Sequence, residues 1–256
     1  LWLGPRGGYT RPDKIAKRYQ KAGNGYLNKE ARDICVASTR YIEKLGDFLV
    51  ETTKEFDIDY WKLDGFCLKP CKDPKHDHAV GGYEDMYFVT DMWQKWIALY
   101  DRLREARPDI WINMTCYVNV SPWWPQWVNS LWVQNTGDIG FAKNIEHRAQ
   151  VDSEITYRDA RYFDCVCKRA LQIPLKNLYN HEPIYGNTAH VKYTDDEFEK
   201  YIYWCTVRGQ ALNELHLSVN MMNERKWSDL SAAMNWQRDN FDILKNAHFI
   251  GGNPEE

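Results

Sequence analysis

No apolar run in this 256-residue sequence reaches the roughly 18 to 20 residues that a membrane-crossing helix needs, so no such helix is expected. A basic stripe is also lacking. The 33 Lys and Arg are scattered among 36 Asp and Glu, the net charge is -3, and nucleic acid is not an expected partner. No G-x-G-x-x-G turn follows any strand-like run, which removes the fingerprint of a dinucleotide-binding protein. Internal repeats and low-complexity segments are absent. A dense cysteine framework is lacking: residues 35, 67, 71, 116, 165, 167 and 205 make an odd number, so at least one is free unless an outside partner takes it. No secretory leader is visible, but the opening LWLGPRGGY reads as the end of a strand already in progress, and this absence leaves the compartment open.

What the sequence does have is apolar and aromatic mass. At 44% hydrophobic and 27% charged it can bury a large core. Its 12 Trp fall largely in Trp/Pro/Asn contexts such as SPWWPQW (121–127). Tryptophans in such loops suit stacking on the apolar face of a sugar ring, while the same residues also serve as core filling. Short apolar runs alternate with longer amphipathic ones. LWL (1–3), YWKL (60–63), WINMTCY (111–117), LWVQ (131–134), KNLY (176–179) and ALNELHL (211–217) read as strands. Helical spacing covers about 31–56, 87–106, 154–171, 196–209 and 230–247, and no hairpin signal is present. This alternation predicts an α/β fold with a parallel sheet, as a barrel or a doubly wound sheet. Polar residues at or after the strand ends, namely Asp64, Tyr117, Asp138, His181 and His216, favour the (β/α)8 barrel, whose sites are built there. Six units and a start inside a strand predict strands 3 to 8 of one catalytic barrel domain over residues 1–256, without its first two βα units.

DYWKLDGF (59–66) carries a charged pair inside an apolar, β-favouring run. Alternation puts Lys62 and Asp64 on one face and Trp61 and Leu63 on the other, against the helices. The pair is either a structural ion pair or a site in which Lys62 keeps Asp64 ionised, as a nucleophile requires. In LWVQNTGDIGF (131–141), Asp138 follows a strand within an Asn-Thr-Gly turn. Apolar neighbours Trp132, Ile139 and Phe141 would let it keep its proton and serve as general acid. Two carboxyl groups with contrasting environments mark a glycosidase, with retention expected at a separation of about 5 to 5.5 Å. Cys67, Cys71, His76 and His78 form C-x3-C-x4-H-x-H, read either as a zinc site, as cysteines in a disulfide, or as a solvated polar loop, the last being the expectation for so polar a segment. His181 and Glu182 in NLYNHEPIYG, and Glu214, His216 and Asn220 further on, fall where they can meet substrate or simply satisfy a loop, with His181 first because it follows its strand most directly.

Together YWKLDGF and LWVQNTGDI resemble the nucleophile strand, K-[FYW]-D-[GN], and the acid/base segment, W-R-x-x-x-D-I, of melibiase-type α-galactosidases and α-N-acetylgalactosaminidases, the clan D glycoside hydrolases of families 27 and 36. INMTCYVNVSPWWPQWVNS is similar to the clan's fifth strand and the loop after it. The resemblance implies a (β/α)8 barrel and a retaining hydrolase of α-linked galactose or N-acetylgalactosamine. In it Asp64 is the nucleophile, Asp138 the acid/base, and Lys62 a donor to sugar hydroxyls. Cys116, Tyr117, Gln134 and His181 are the further substrate-binding candidates. Gln134 stands where the clan has Arg, and Tyr117 follows Cys116 where the clan's residue separates the two sugars, so the group at carbon 2 is open. This chemistry needs neither metal nor organic cofactor. The partner is an oligosaccharide or glycoconjugate, and a secreted or periplasmic setting fits glycan degradation. The alternatives are a transglycosylase, a catalytically idle glycan-binding barrel and, less favoured, a zinc hydrolase using the Cys/His loop.

Overall fold

The computed structural model describes residues 1–7, 12–66, 71–81, 85–116, 121–133, 136–143, 149–170, 173–187 and 189–256. They divide into two compact units, Leu1–Asn129 and Ser130–Glu256. In the first, β1 (Trp2–Leu3), β4 (Tyr60–Phe66) and β5 (Trp111–Cys116) pair in parallel, with Trp2 opposite Lys62 and Lys62 opposite Asn113. The register slips between Leu63 and Phe66, just where Asp64 lies. Helices α2 (Thr39–Glu55) and α3 (Met86–Ala106) are the crossovers. They start where their sequences supply caps: Ser38 accepts from the Tyr41 amide, and Asp85 accepts from the Tyr87 and Phe88 amides. Leu45 and Leu49 on α2, and Met92, Trp96, Leu99 and Leu103 on α3, form their buried faces. Trp61 and Leu63 are buried as the alternation requires, and the Trp61 indole donates to Thr53 of α2 at 2.8 Å.

In the second unit β6 (Ser130–Trp132) pairs in parallel with β7 (Leu178–Tyr179), and β8 (Ile184–Tyr185) with β9 (His216–Leu217). Helices α4 (Gln150–Phe163), α5 (Asp195–Val207) and α6 (Glu224–Leu244) complete it. Its core joins Ile184 and Tyr185 to Phe198, Tyr201, Ile202 and Cys205 of α5 and Leu230 and Ala233 of α6. A capping box opens α5, with Thr194 and Glu197 each bonding the other's backbone amide.

Parallel strands joined by helices bear out the α/β expectation, while a closed eight-stranded barrel is not present among the described elements. Several boundaries differ from the sequence reading. A short helix α1 (Pro12–Lys21) stands ahead of the first helix that the sequence spacing predicts. An antiparallel hairpin, β2 (Leu27–Asn28) with β3 (Asp33–Ile34), contradicts the expectation of none and delays α2 from residue 31 to 39. Its cause is local: the Asn28 side chain accepts from the amides of Glu30 and Ala31, and Arg32 takes a left-handed φ of 55°. The strand expected over 211–217 shortens to His216–Leu217, because Glu214 instead donates its amide to the Glu182 carbonyl. In SPWWPQW the core-filling reading holds for Trp124, which is buried, tilted against Trp93 and edge-on to Trp127, whereas Trp123 is 67% exposed.

The polar segment around Cys71 is not the solvated loop expected. Cys71 and His76 are buried, and Asp77 binds the N-terminus of α2 through the Thr39 and Arg40 amides at 3.2 and 3.0 Å. A carboxylate there satisfies amide groups that the helix leaves unpaired.

Candidate active site

Each unit holds a cluster of polar groups at the ends of its parallel strands. In the first, Lys62 and Asp64 on β4 are buried on the face opposite Trp61 and Leu63. The Trp2 indole donates to Asp64 Oδ2 at 2.7 Å, and the Lys62 ammonium stands 3.9 Å from the same oxygen. Trp2 reaches Asp64 because β1 pairs with β4 two residues earlier, at Lys62. The carboxylate is thus oriented by an indole on one strand and an ammonium on its own strand. Asn113 and Thr115 of β5 fall on the same face by register and are also buried. Asn113 Nδ2 donates to the Tyr60 hydroxyl at 3.0 Å, while its Oδ1 is a buried acceptor with no donor among the described residues. A buried polar atom of this kind is costly unless something meets it. Sequence reading passed over Trp2, Asn113 and Thr115. The period-two alternation of WINMTC, with Ile112 and Met114 on the apolar face, contains the signal for the last two.

In the second unit Asp138 sits after β6 with its side chain 68% exposed, not in the apolar setting expected of it. What lies beside it is His181, whose Nε2 is 3.5 Å from Asp138 Oδ1 and whose Nδ1 is 2.7 Å from Glu214 Oε2. Trp132 packs edge-on against the His181 ring and the His216 ring lies tilted against it, with centroids 4.6 and 4.0 Å away. The imidazole therefore has little freedom to turn, and its two nitrogens connect two carboxyl groups. Such a chain can hold a proton at one end while offering an acceptor at the other.

The backbone bearing Asp138 is held from α4. Arg158, almost fully buried, donates to the Thr136 hydroxyl (2.5 Å), the Gly137 carbonyl (3.0 Å) and the Asp138 carbonyl (2.6 Å). Its Nε lies 2.6 Å from Glu182, which also pairs with Arg208. Glu182, a possible substrate contact from sequence, is instead this loop's buried counter-charge. Gly140 lies against the ring of Tyr157, one residue before Arg158. Tyr117 and Gln134, and the side chain of Cys116, lie outside the described residues, as does Cys67.

Among the described residues, two groups of side chains have the donor sets of metal sites. His181, Glu214 and His216 form one, and Cys35, Cys71, His76 and His78 the other. In the first, the short His181–Glu214 hydrogen bond already occupies one donor of each, which fits a proton-carrying chain.

No family model and no curated protein matches the sequence. Solved structures do match the fold. The GH36 α-galactosidase AgaA of Geobacillus stearothermophilus, in a complex with raffinose, aligns with 96% of this chain at a TM-score of 0.61 and 10% identity. The α-galactosidase of Lactobacillus brevis does so at 0.59 and 11%, again over 96% of the chain, and the GH36 enzyme AgaB of G. stearothermophilus at 0.55 and 13%, likewise over 96%. The chain spans 30% to 31% of the length of these proteins. The shared feature is the fold, a GH36-like α/β arrangement.

Proposed function

We propose that this chain is catalytic machinery of a retaining glycoside hydrolase acting on terminal α-linked galactose or N-acetylgalactosamine. The observation that carries the reading is the placement of a buried Lys62-x-Asp64 at the end of β4 in a chain whose fold is like GH36 α-galactosidases over nearly its full length. Neighbours of that fold are known in complexes with raffinose and stachyose, which makes an α-galactoside the substrate class to test.

In this reading Asp64 attacks the anomeric carbon as Asp138 gives its proton to the departing glycosidic oxygen, leaving a glycosyl ester on Asp64 and a free aglycone. Asp138, now a carboxylate, takes a proton from water, whose oxygen attacks the same carbon and releases Asp64. Both displacements invert, so the sugar leaves with its original anomeric configuration. Lys62 and the Trp2 indole hold Asp64 in its attacking orientation, and Lys62 also offers donors to sugar hydroxyls. His181, held by Glu214, orients the Asp138 carboxyl.

The test is hydrolysis of nitrophenyl α-galactoside and α-N-acetylgalactosaminide by the wild-type protein, Asp64→Asn and Asp138→Asn, with the product anomer followed by NMR. Release of the α-anomer first, with a loss of about 10³-fold or more in kcat for Asp64→Asn, is expected. Normal turnover by that variant, or initial release of the β-anomer, would overturn the assignment.

A further inference from the structure

The spacing C-x3-C-x4-H-x-H looks like no common metal motif, but the chain brings Cys35 from a distance to join Cys71, His76 and His78. Cys35, directly after β3, lies beside the segment that follows β4, with Cys35 Sγ 3.2 Å from His78 Nε2 and Cys71 Sγ 3.2 Å from His76 Nδ1. One ligand atom from each of Cys35, Cys71, His76 and His78 lies within 4.8 Å of all the others. A tetrahedral zinc with bonds of about 2.3 Å to sulfur and about 2.0 Å to nitrogen sets its ligand atoms roughly 3.3 to 3.8 Å apart. Small side-chain rotations close the remaining difference. We propose that Cys35, Cys71, His76 and His78 form a closed Cys2His2 site for a structural zinc ion.

Three further features support the assignment. First, the outward nitrogens of both imidazoles face acceptors: His78 Nδ1 meets the Ala79 carbonyl at 2.5 Å, and the Asp73 carboxylate stands 3.6 Å from His76 Nε2, near enough to tighten onto it when the ion binds. Outer partners of this kind hold a metal-binding histidine in the tautomer that presents its lone pair to the ion. Secondly, three of the four ligands are buried and the cluster is walled by rings. Cys35 and Cys71 are 0% and 2% exposed, Tyr26 stacks on His76 with centroids 4.3 Å apart, and Phe88 packs edge-on to His78. A site with four protein ligands and no open position is structural and leaves no place for a reacting water. Thirdly, two thiols and two imidazoles are a soft donor set suited to zinc and poorly suited to magnesium or calcium.

Binding conserves charge simply. The two thiols release two protons, the imidazoles stay neutral, and two thiolates balance the dication. The ion would clamp the polypeptide leaving β4 to the end of β3, seven residues beyond Asp64. Asp73 shapes the intervening turn, accepting from the Lys75 amide through its side chain and the His76 amide through its carbonyl. Asp77 secures the far side on α2. The site does not depend on the glycosidase reading, and each can fail without the other.

The rival chemistry is a Cys35–Cys71 disulfide; in the structure both are free thiols. The test is elemental analysis of untagged protein grown with zinc, followed by chelation, reconstitution with cobalt(II) and peptide mapping of the thiols. About one zinc per chain is expected, with a fall in Tm on chelation that added zinc reverses. The cobalt form should show tetrahedral visible bands and thiolate charge transfer. Cys71→Ser should lose both, and Cys167→Ser, at an exposed cysteine outside the cluster, should keep them. If Cys71→Ser does not fold, His78→Ala, at the half-exposed ligand, is read by its altered cobalt spectrum. Substoichiometric zinc with no cobalt signature in reduced protein, or isolation of a Cys35–Cys71 disulfide peptide, would overturn the site.

Discussion

Glu154 on α4 carries a single buried carboxyl whose ionisation is opposed by its surroundings. Burial raises it to about 7, against which the hydrogen bonds from Tyr193 and Tyr201 and the charge of Arg158 act only in part. The folded state therefore retains a proton that the unfolded chain loses near the ordinary value of 4.5. The stabilisation is fully present below that value and is lost as pH rises through about 7. A gap of this size is worth about 3 kcal/mol between the two ends of the window. Glu154→Gln cannot ionise and still accepts from Tyr193, so its Tm should decline less than the wild type's between pH 5 and 8. Parallel declines in calorimetric scans would show that Glu154 does not titrate in this window. At the same scale, Lys62 and Asp64 were legible because two charges in an apolar strand stand out. Trp2 was not, since its partner lies 62 residues away.

At the scale of elements, β6 and α4 cooperate to present Asp138. The described residues of its loop, 136–143, form no helix or strand and are held by Arg158 and Tyr157, adjacent residues on α4. Gly140 is needed for this approach, because a Cβ there would fall 2.2 Å from the Tyr157 ring. Gly140→Ala should destabilise the protein by about 1 to 3 kcal/mol through overpacking. Adding Tyr157→Ala should return part of that loss, read as coupling between the two sites in a double-mutant cycle of Tm values. Strict additivity would separate Gly140 from the Tyr157 platform. Helices were legible in outline, since α3 and α5 show their apolar faces in their own residues. Where α2 begins was not, because Asn28 and Arg32 form a hairpin turn ahead of the Ser38 cap, and helical spacing alone does not register that competition.

At the scale of the whole molecule, function is tested by ligand rather than by residue. A neighbour of the same fold is known in complex with 1-deoxygalactonojirimycin, which makes that compound a suitable probe. A ligand at about a hundred times its Kd stabilises the native state by roughly 2.7 kcal/mol. For a chain of this size that corresponds to a Tm rise of roughly 5 to 10 °C. The gluco-configured analogue should give a smaller shift. Equal shifts, or none with either compound up to the millimolar range, would count against a galactose-shaped site.

By itself the sequence determined the α/β class, most helices, the alternation on β4 and the two carboxyl candidates, because each is written in neighbouring residues with a period of 2 or 3.6. Tertiary structure decided the company those residues keep. Trp2 with Asp64, Glu214 with His181, Arg158 with Glu182 and the loop before Asp138, and Cys35 with Cys71 are contacts between distant segments. No local period encodes them. They arise when burial of the apolar faces brings strand ends together, and each buried polar group must then find its partner among whatever the packing has placed nearby.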